Sequence, residues 1–220
     1  EKLSIALVEY SCFSADMAAG ASVRRGRSVP LNARQHLRRP IPVIIALVLL
    51  LAVFIALASG GVALAVSYSS EEVAFATLIN SYRASNGLAP LLISDTLSEA
   101  GDRHSSDMGK YAFFDHFTKA SDWFKVGASP VDRMTATGYV YSSYKGENIA
   151  AGYSTAEAVF QGWKNSPGHN ANMLNGEFKV LGISLVVVSG SRYGSYWTTD
   201  FGGYVDLSAH NIASATSTTA

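Results

Sequence analysis

The stretch FKVLGISLVVVSGSRYGSYWTTDFGGY, residues 178–204, decides the fold. Its first part, Phe178–Val188, is rich in Val, Ile and Leu and has the length of a buried β-strand. Its last part, Tyr193–Tyr204, is a second segment whose aromatic residues favour a strand. Small polar residues between the two favour a turn. We therefore expect an antiparallel hairpin at this end of the folded domain.

The sequence before this hairpin carries four helical patterns, each opening at a residue type that caps helix N-termini. Apolar residues recur within them at three- and four-residue steps, which is the helical period. The predicted helices are residues 71–87 capped by Ser70, a helix opening at Ser94, a short helix opening at Ser129-Pro130, and one opening at a capping box over residues 154–157. Helices first and a hairpin last predict an α+β fold, with helices packed on a central antiparallel sheet.

The N-terminal part differs in character from the rest of the chain. The whole sequence has 17 Lys+Arg and 17 Asp+Glu, but residues 1–40 alone carry a net charge of +4 and the remainder −4. Residues 41–58 are eighteen consecutive residues without a polar side chain. A helix needs about 20 apolar residues to cross a bilayer. We therefore predict a transmembrane anchor or the apolar region of a signal peptide at residues 41–66.

The length of this segment favours an uncleaved anchor over a signal peptide, whose apolar region has about 7–15 residues. Ala63-Leu64-Ala65 fits a signal-peptidase site, so a cleaved signal is the alternative. Under both interpretations the basic leader, residues 1–40, stays in the cytoplasm and the rest is exported. We also expect translation to start at Met17, because a cleaner export signal begins there. The single cysteine, Cys12, would then be lost.

The exported part is predicted to be one domain, residues 70–206, followed by a small polar tail, residues 207–220, that we expect to be disordered. Because it contains no cysteine, it has no disulfide and no cysteine-based zinc site. The charge balance argues against a nucleic-acid partner. The sequence has no HExxH, GxSxG or P-loop motif and no GxGxxG after a strand. This argues against a conventional zinc protease, an α/β-hydrolase and a nucleotide enzyme.

Three titratable residues of the domain stand in contexts that indicate a site. His116 follows two aromatic residues at the predicted end of a helix, and His169 lies in NSPGHN, a turn that would open a short helix. Glu147 lies in the small, apolar segment GENIAAG, where a carboxylate would be partly buried and would need a partner. Asn148 and Ser166 could orient the histidines. Two imidazoles and a carboxylate can hold a divalent ion, with an open position for water.

Each of these residues also has a structural interpretation. His116 could cap its helix, His169 could cap its turn, and Glu147 could tie its loop down through backbone hydrogen bonds. His104 falls on the apolar face of the second predicted helix. We interpret it as a buried structural residue rather than a ligand.

Five motifs follow one another along the domain: RASNGLAPL, HSSDM with FFDH, GENIAAG, SPGHNANML with VLGIS, and YWTTDFG. In this order and spacing they resemble the bacterial branch of the CAP superfamily. This is the SCP-like domain shared with cysteine-rich secretory and pathogenesis-related proteins, and the resemblance covers about residues 71–204. It implies a three-layer α-β-α sandwich with a cleft.

In that cleft the family places two histidines and one or two glutamates. Matched by motif, these fall on His116, Glu147 and His169. A further glutamate that animal and plant members carry soon after the tryptophan is missing after Trp163. Asn170 stands where the bacterial motif often has arginine.

The resemblance and the residues together support two functions. The first is a binding module at the cell surface, whose cleft recognises a lipid, a glycan or a peptide, with or without a divalent metal. The alternative is a metal-dependent, peptidase-like hydrolase in which His116 and His169 hold Zn²⁺ or another divalent ion and Glu147 polarises the bound water. A purely structural envelope domain is the third interpretation. Because the second glutamate of the family is missing after Trp163, we rank the binding module slightly above the hydrolase.

Overall fold

The structure is a computed structural model that describes residues 66–212 and 217–218. The basic leader and all but the last residue of the predicted anchor lie outside the described residues. Within the described ranges, no helix combines the length and the apolar character needed to cross a membrane.

Five helices occur in this part of the chain, and local capping chemistry explains where they begin. Their bounds are α1 Ser70–Ser85, α2 Asp95–Lys110, α3 Pro130–Ala136, α4 Ala156–Lys164 and α5 Pro167–Met173. The predicted caps Ser94 and Ser129 are confirmed, and each hydroxyl accepts a backbone hydrogen bond from the first turn. The cap of α1 is Ser69 rather than Ser70, because Ser69 and Glu72 form a reciprocal capping box. Thr155 caps α4.

The described residues form a five-stranded sheet and a separate two-stranded pair. The strands are β1 Tyr68–Ser69, β2 Leu92–Ser94, β3 Lys145–Ala151, β4 Val180–Val187, β5 Ser195–Gly202, β6 Ala209–His210 and β7 Ser217–Thr218. The order in the large sheet is β3-β5-β4-β2-β6, and β1 pairs with β7. The predicted hairpin is confirmed, since β4 and β5 pair antiparallel from Val180↔Gly202 to Val187↔Ser195.

The large sheet is mixed, so the predicted central antiparallel sheet is correct for every pairing except that of β2 with β4. β2 pairs parallel with β4, with Leu92 opposite Val180 and Ile93 opposite Leu181. Four helices and β3 lie between these two strands in the chain. That is long enough for the crossover connection that parallel pairing requires. The three residues of β2 are too few to show a strand period in the sequence.

The edge strand β3 is built from residues with low strand propensity. Its sequence, KGENIAA, contains Gly, Asn and Ala and no aromatic residue. It forms because it pairs antiparallel with β5, from Lys145↔Gly202 to Ala151↔Tyr196. This register places Glu147 directly opposite Asp200.

Helices cover both faces of the large sheet. On one face, Phe75 of α1 and Trp163 of α4 pack with Trp197 of β5, and the rings of Phe75 and Trp163 meet edge to face at 5.1 Å. On the other face, the hydroxyl of Ser105 in α2 hydrogen-bonds that of Thr198 in β5 at 2.8 Å. Because successive residues of a strand point to opposite faces, these contacts place the sheet between two helical layers.

Part of the segment predicted to be a disordered tail pairs with the sheet instead. Ala209 and His210 form β6, which lies antiparallel to β2 and pairs with Ile93 and Ser94. The His210 ring also lies close to the start of α2, with Nε2 3.0 Å from a carboxylate oxygen of Asp95. Composition alone does not reveal such partners, because they come from the other end of the domain.

Candidate functional site at the edge of the sheet

Glu147 is the centre of a buried polar network. Its side chain is 1% exposed, and β3 presents it toward the layer that contains α3. One carboxylate oxygen, Oε1, lies 2.6 Å from Nδ1 of His116. The other, Oε2, accepts a hydrogen bond from the guanidinium of Arg133 at 2.5 Å. Both oxygens of Glu147 are therefore engaged by other side chains of the domain.

Arg133 lies on α3 and is fully buried. Besides Glu147, its guanidinium donates to the carbonyl of His116 at 2.7 Å and to that of Ala128 at 3.2 Å. It therefore holds the backbone around His116 as well as the carboxylate that faces the His116 ring. Sequence reasoning missed this residue. The available signal was a charged side chain beside Met134, on the face of a capped helix that also carries Pro130.

Charge explains the ionisation state of Glu147. Burial alone would raise the pKa of Glu147, but the Arg133 charge and the His116 hydrogen bond hold it well below its ordinary value. An ionised carboxylate only accepts hydrogen bonds, so Nδ1 of His116 carries the hydrogen between them. In its neutral form His116 then presents Nε2 as an acceptor.

His116 lies in the loop between α2 and α3 rather than at a helix end. The helix stops at Lys110, and Ala112, with a φ of 56°, turns the chain into the loop. The His116 side chain is 4% exposed. Its position therefore comes from Arg133 and Glu147, and not from a helix cap.

His169 lies in α5, on the other side of the free edge of β3, and is 2% exposed. Nδ1 hydrogen-bonds the Ser166 hydroxyl at 2.9 Å, and the ring stacks on Trp163 with centroids 5.6 Å apart. Nε2 is buried without a hydrogen-bond partner among the described residues. Burial lowers the pKa of His169 to about 4 and His116 lowers it further, while the Ile149 backbone, which approaches the ring outside standard hydrogen-bond geometry, opposes both. The ring is therefore neutral at pH 7.

Asn148 connects the two sides of this site. Its amide donates to the carbonyl of His169 at 3.1 Å, and its oxygen accepts from Asn172 at 2.9 Å. Asn172 also donates to the carbonyl of Glu147 at 3.3 Å. The structure thus brings the five sequence-predicted site residues into one region, with Asn148 and Ser166 orienting His169. We call His116, Glu147, Asn148, Ser166 and His169 the edge site.

His104 lies on the buried face of α2, as predicted, and is fully buried. Its Nε2–H donates to the carbonyl of Asp115 at 3.0 Å. Burial and the Arg133 charge lower the pKa of His104 to about 3, so its ring is neutral. The hydrogen bond fixes the backbone of Asp115, which directly precedes His116, so His104 helps to hold the loop that carries His116.

The residues of the edge site do not fit a three-ligand metal centre. Both Glu147 oxygens are engaged, and within residues 66–212 and 217–218 no group of three or more His, Cys, Asp or Glu side chains is arranged to hold a metal ion. A metal would have to use the Nε2 atoms of His116 and His169. Glu147 would then orient a ligand rather than be one.

Sequence reasoning also missed Asp200, which is 1% exposed and lies opposite Glu147 on β5. A carboxylate inside a strand whose other residues are aromatic, small or β-branched was the available signal. Every residue of β5 is buried, so this acid is shielded from bulk solvent.

Comparison with known proteins identifies the family. Residues 76–201, more than half of the chain, match the model of CAP, the cysteine-rich secretory protein family. The chain belongs to this family. The CAP domain thus includes α2 to α5 and β2 to β4, with nearly all of β5, and contains the whole edge site.

Two relatives come from Bacillus subtilis (strain 168). The uncharacterized protein YkwD is 38% identical over 137 residues, which are 62% of this chain and 49% of that protein. The uncharacterized membrane protein YlbC is 34% identical over 117 residues, which are 53% of this chain and 32% of that protein. The match therefore spans about half or less of these relatives' own length.

Two solved structures resemble the fold. An extracellular protein containing an SCP domain from Bacillus anthracis str. Ames matches with 28% identity and a TM-score of 0.52, covering 61% of this chain and 40% of that one. An outer surface protein from Borrelia burgdorferi has 20% identity and a TM-score of 0.51, covering 63% of this chain and 98% of that one. The second likeness concerns the fold alone. Together they support the α+β architecture of a CAP domain.

Proposed function

We propose that this protein acts outside the cytoplasm, where its CAP domain binds a neutral, hydrogen-bonding ligand of the cell wall at the edge site. Export is supported by the apolar segment after the basic leader. It is further supported by the relative described as a membrane protein and by the solved structure described as an extracellular protein. The proposed partners are therefore the membrane, through the N-terminal segment, and a cell-wall glycan or peptide.

The observation that carries this proposal is the ion pair between Arg133 and Glu147. A general base must be able to take a proton, and a carboxylate whose pKa is held far below its ordinary value is a weak base. Both carboxylate oxygens of Glu147 also accept hydrogen bonds, from His116 and from Arg133. The arrangement holds an imidazole in place, which suits recognition better than hydrolysis.

Charge at the edge site narrows the ligand class. The charges of Arg133 and Glu147 offset each other, and His169 is neutral at pH 7 because burial lowers its pKa to about 4. The five residues of the edge site include no lysine or arginine that could bind a phosphate headgroup. Imidazole nitrogens instead exchange hydrogen bonds with hydroxyl and amide groups, which glycans and peptides supply.

Cosedimentation with purified cell wall tests this proposal. We expect the full chain, purified in detergent, to sediment with the wall material. The double variant His116→Ala/His169→Ala should lose this binding. His210→Ala removes a histidine that lies outside the edge site and serves as the matched control. Equal sedimentation of the double variant with the wall material, or no sedimentation of wild type, would contradict the proposal.

One observation favours the hydrolase as a second candidate. The buried Nε2 of His169 lacks a hydrogen-bond partner in the described part of the chain, and a metal ion is one way to satisfy such an atom. His116 and His169 would hold the ion, and a bound divalent metal would supply Lewis-acid activation of water. Elemental analysis of natively purified protein should then find about one divalent ion per chain, lost in the double variant. Unchanged metal content in that variant would rule this site out.

A further inference from the structure

Asp200 and Glu147 are two acidic residues held side by side in the interior. They are paired residues on neighbouring antiparallel strands, so their Cα atoms are about 4.5–5.5 Å apart and their side chains leave the same face of the sheet. Both side chains are 1% exposed. Neither oxygen of Asp200 receives a hydrogen bond from a donor group of the described residues. An ionised Asp200 would thus be buried without a partner.

The described groups around Asp200 are not arranged to neutralise it. On the face that carries Asp200, β3 contributes Glu147 and Lys145, and the Lys145 ammonium donates to the Tyr141 carbonyl. β4 contributes Gly182, which has no side chain. Arg133 of α3 is also close, but the hydrogen bonds of its guanidinium go to Glu147, to the Thr118 hydroxyl and to the backbone of His116 and Ala128.

The two histidines near this acid pair, His104 and His116, do not supply a permanent positive charge. His104 of α2 is neutral, because burial lowers its pKa to about 3. His116 already faces Glu147 through its Nδ1. Two neighbouring carboxyl groups in such a place do not both ionise.

We propose that Asp200 is protonated in the folded protein and donates its hydrogen to Glu147, so that the two residues form one acid pair behind His116. Burial and the Glu147 charge raise the pKa of Asp200 well above its ordinary value, and Arg133 opposes them only in part. Glu147 then accepts from three donors: Arg133, His116 and Asp200. Both Glu147 oxygens are then engaged, and the protonated oxygen of Asp200 has a partner.

Asp200 is a positioning residue, since it acts on the edge site through Glu147. While it holds its proton, the buried centre contains one fixed negative and one fixed positive charge. Loss of that proton would add a second negative charge and favour protonation of the His116 ring. The positioning role of Asp200 rests on the proposed function, because it assumes that His116 binds a ligand. The acid pair of Asp200 and Glu147 can be tested without any ligand.

The variant Asp200→Asn tests the acid pair because its amide keeps a donor for Glu147 but cannot ionise. A carboxyl whose folded pKa is raised stabilises the fold below its unfolded value of about 3.9 and loses that contribution as the pH rises. The folding equilibrium constant of the variant, relative to wild type, should therefore increase by up to about tenfold per pH unit above about pH 4.

Urea unfolding from pH 4 to pH 8 measures this ratio. Asp206→Asn is the matched control, because the Asp206 carboxylate accepts hydrogen bonds from Ser94 and Ser208 and an amide there should only weaken the fold. A ratio for Asp200→Asn that stays flat with pH, or falls, would overturn the acid pair and indicate an ionised Asp200 paired with Arg133.

Infrared spectroscopy gives a readout that does not depend on the variant's stability. Wild-type protein at neutral pH should show the C=O band of a buried, protonated carboxyl group, and Asp200→Asn should lack it. Absence of that difference would overturn the proposal. Failure of cell-wall binding in wild type would overturn the proposed function instead, and would leave both of these measurements unaffected.

Discussion

A single buried arginine determines what the edge site can do. Without Arg133, Glu147 would be a buried carboxylate beside Asp200 and would gain a proton. With it, Glu147 stays ionised and fixes the Nδ1 hydrogen of His116. Both charges of this pair are desolvated, so removing Arg133 alone leaves the Glu147 carboxylate buried without its partner. The loss of Arg133 should therefore affect stability and not only function.

Replacing Arg133 with methionine should destabilise the fold strongly, because Glu147 is left buried and unpaired. We expect a loss of about 3–5 kcal/mol in the free energy of unfolding, measured by urea titration. The double variant Arg133→Met/Glu147→Gln should recover part of it. Arg103→Met removes an arginine paired with Glu99 on the surface of α2 and should cost about 0–1 kcal/mol. Similar losses for the two arginines would contradict the buried ion pair.

His104 makes the stability of the domain sensitive to acid. Its folded pKa is lowered to about 3 from an ordinary 6.5, so the unfolded chain takes up a proton first as the pH falls. The stability it contributes is present above pH 6.5 and is lost between that pH and 3. When the pH falls from 7 to 5, the free energy of unfolding of His104→Gln should decrease by about 2 kcal/mol less than that of wild type. Equal losses in urea titrations at the two pH values would show that His104 is not held neutral.

At the scale of helices and strands, the sequence predicts elements whose signals are local. The caps Ser94 and Ser129 and the hairpin of residues 178–204 carry their own turn and propensity signals, and the structure confirms them. β3 is different, because its Gly, Asn and Ala form a strand only through β5. The same holds for the parallel pairing of β2, which depends on a crossover through four helices.

Gly182 lets α2 approach the sheet closely. A Cβ atom at this position of β4 would lie 2.2 Å from the carbonyl carbon of Leu97 and 2.4 Å from the amide nitrogen of Ser98. Because both atoms belong to the α2 backbone, the helix would have to move. Gly182→Ala should therefore cost about 3 kcal/mol, at the upper end of overpacking effects, in thermal or urea unfolding.

Gly176→Ala is the control for this substitution. A Cβ atom there meets only Leu88 at 3.8 Å, so the change should stay within about 0.5 kcal/mol. A mild effect at Gly182 would mean that α2 does not pack as closely on β4 as the structure shows.

At the scale of the whole molecule, the edge site gathers residues far apart in the chain. His116, Glu147 and His169 were predictable because each stands in an unusual local context that also carries the family motif. Arg133 and Asp200 were not, because their importance comes only from lying beside Glu147 in three dimensions. The charge distribution, by contrast, needs no structure: the leader carries +4 and the remainder −4, and the prediction of two compartments rests on this difference.

The most direct test of the account is where a cell-wall ligand touches the domain. Soluble cell-wall fragments can be titrated into the isotope-labelled full chain while NMR follows side-chain signals. We predict that the ring signals of His116 and His169 and the amide of Asn148 shift together, and that the same fragments leave the Asn148 amide unshifted in His116→Ala/His169→Ala. Shifts confined to exposed aromatic residues that do not belong to the edge site, such as Tyr144 and Tyr204 at 39% and 49% exposure, would contradict it.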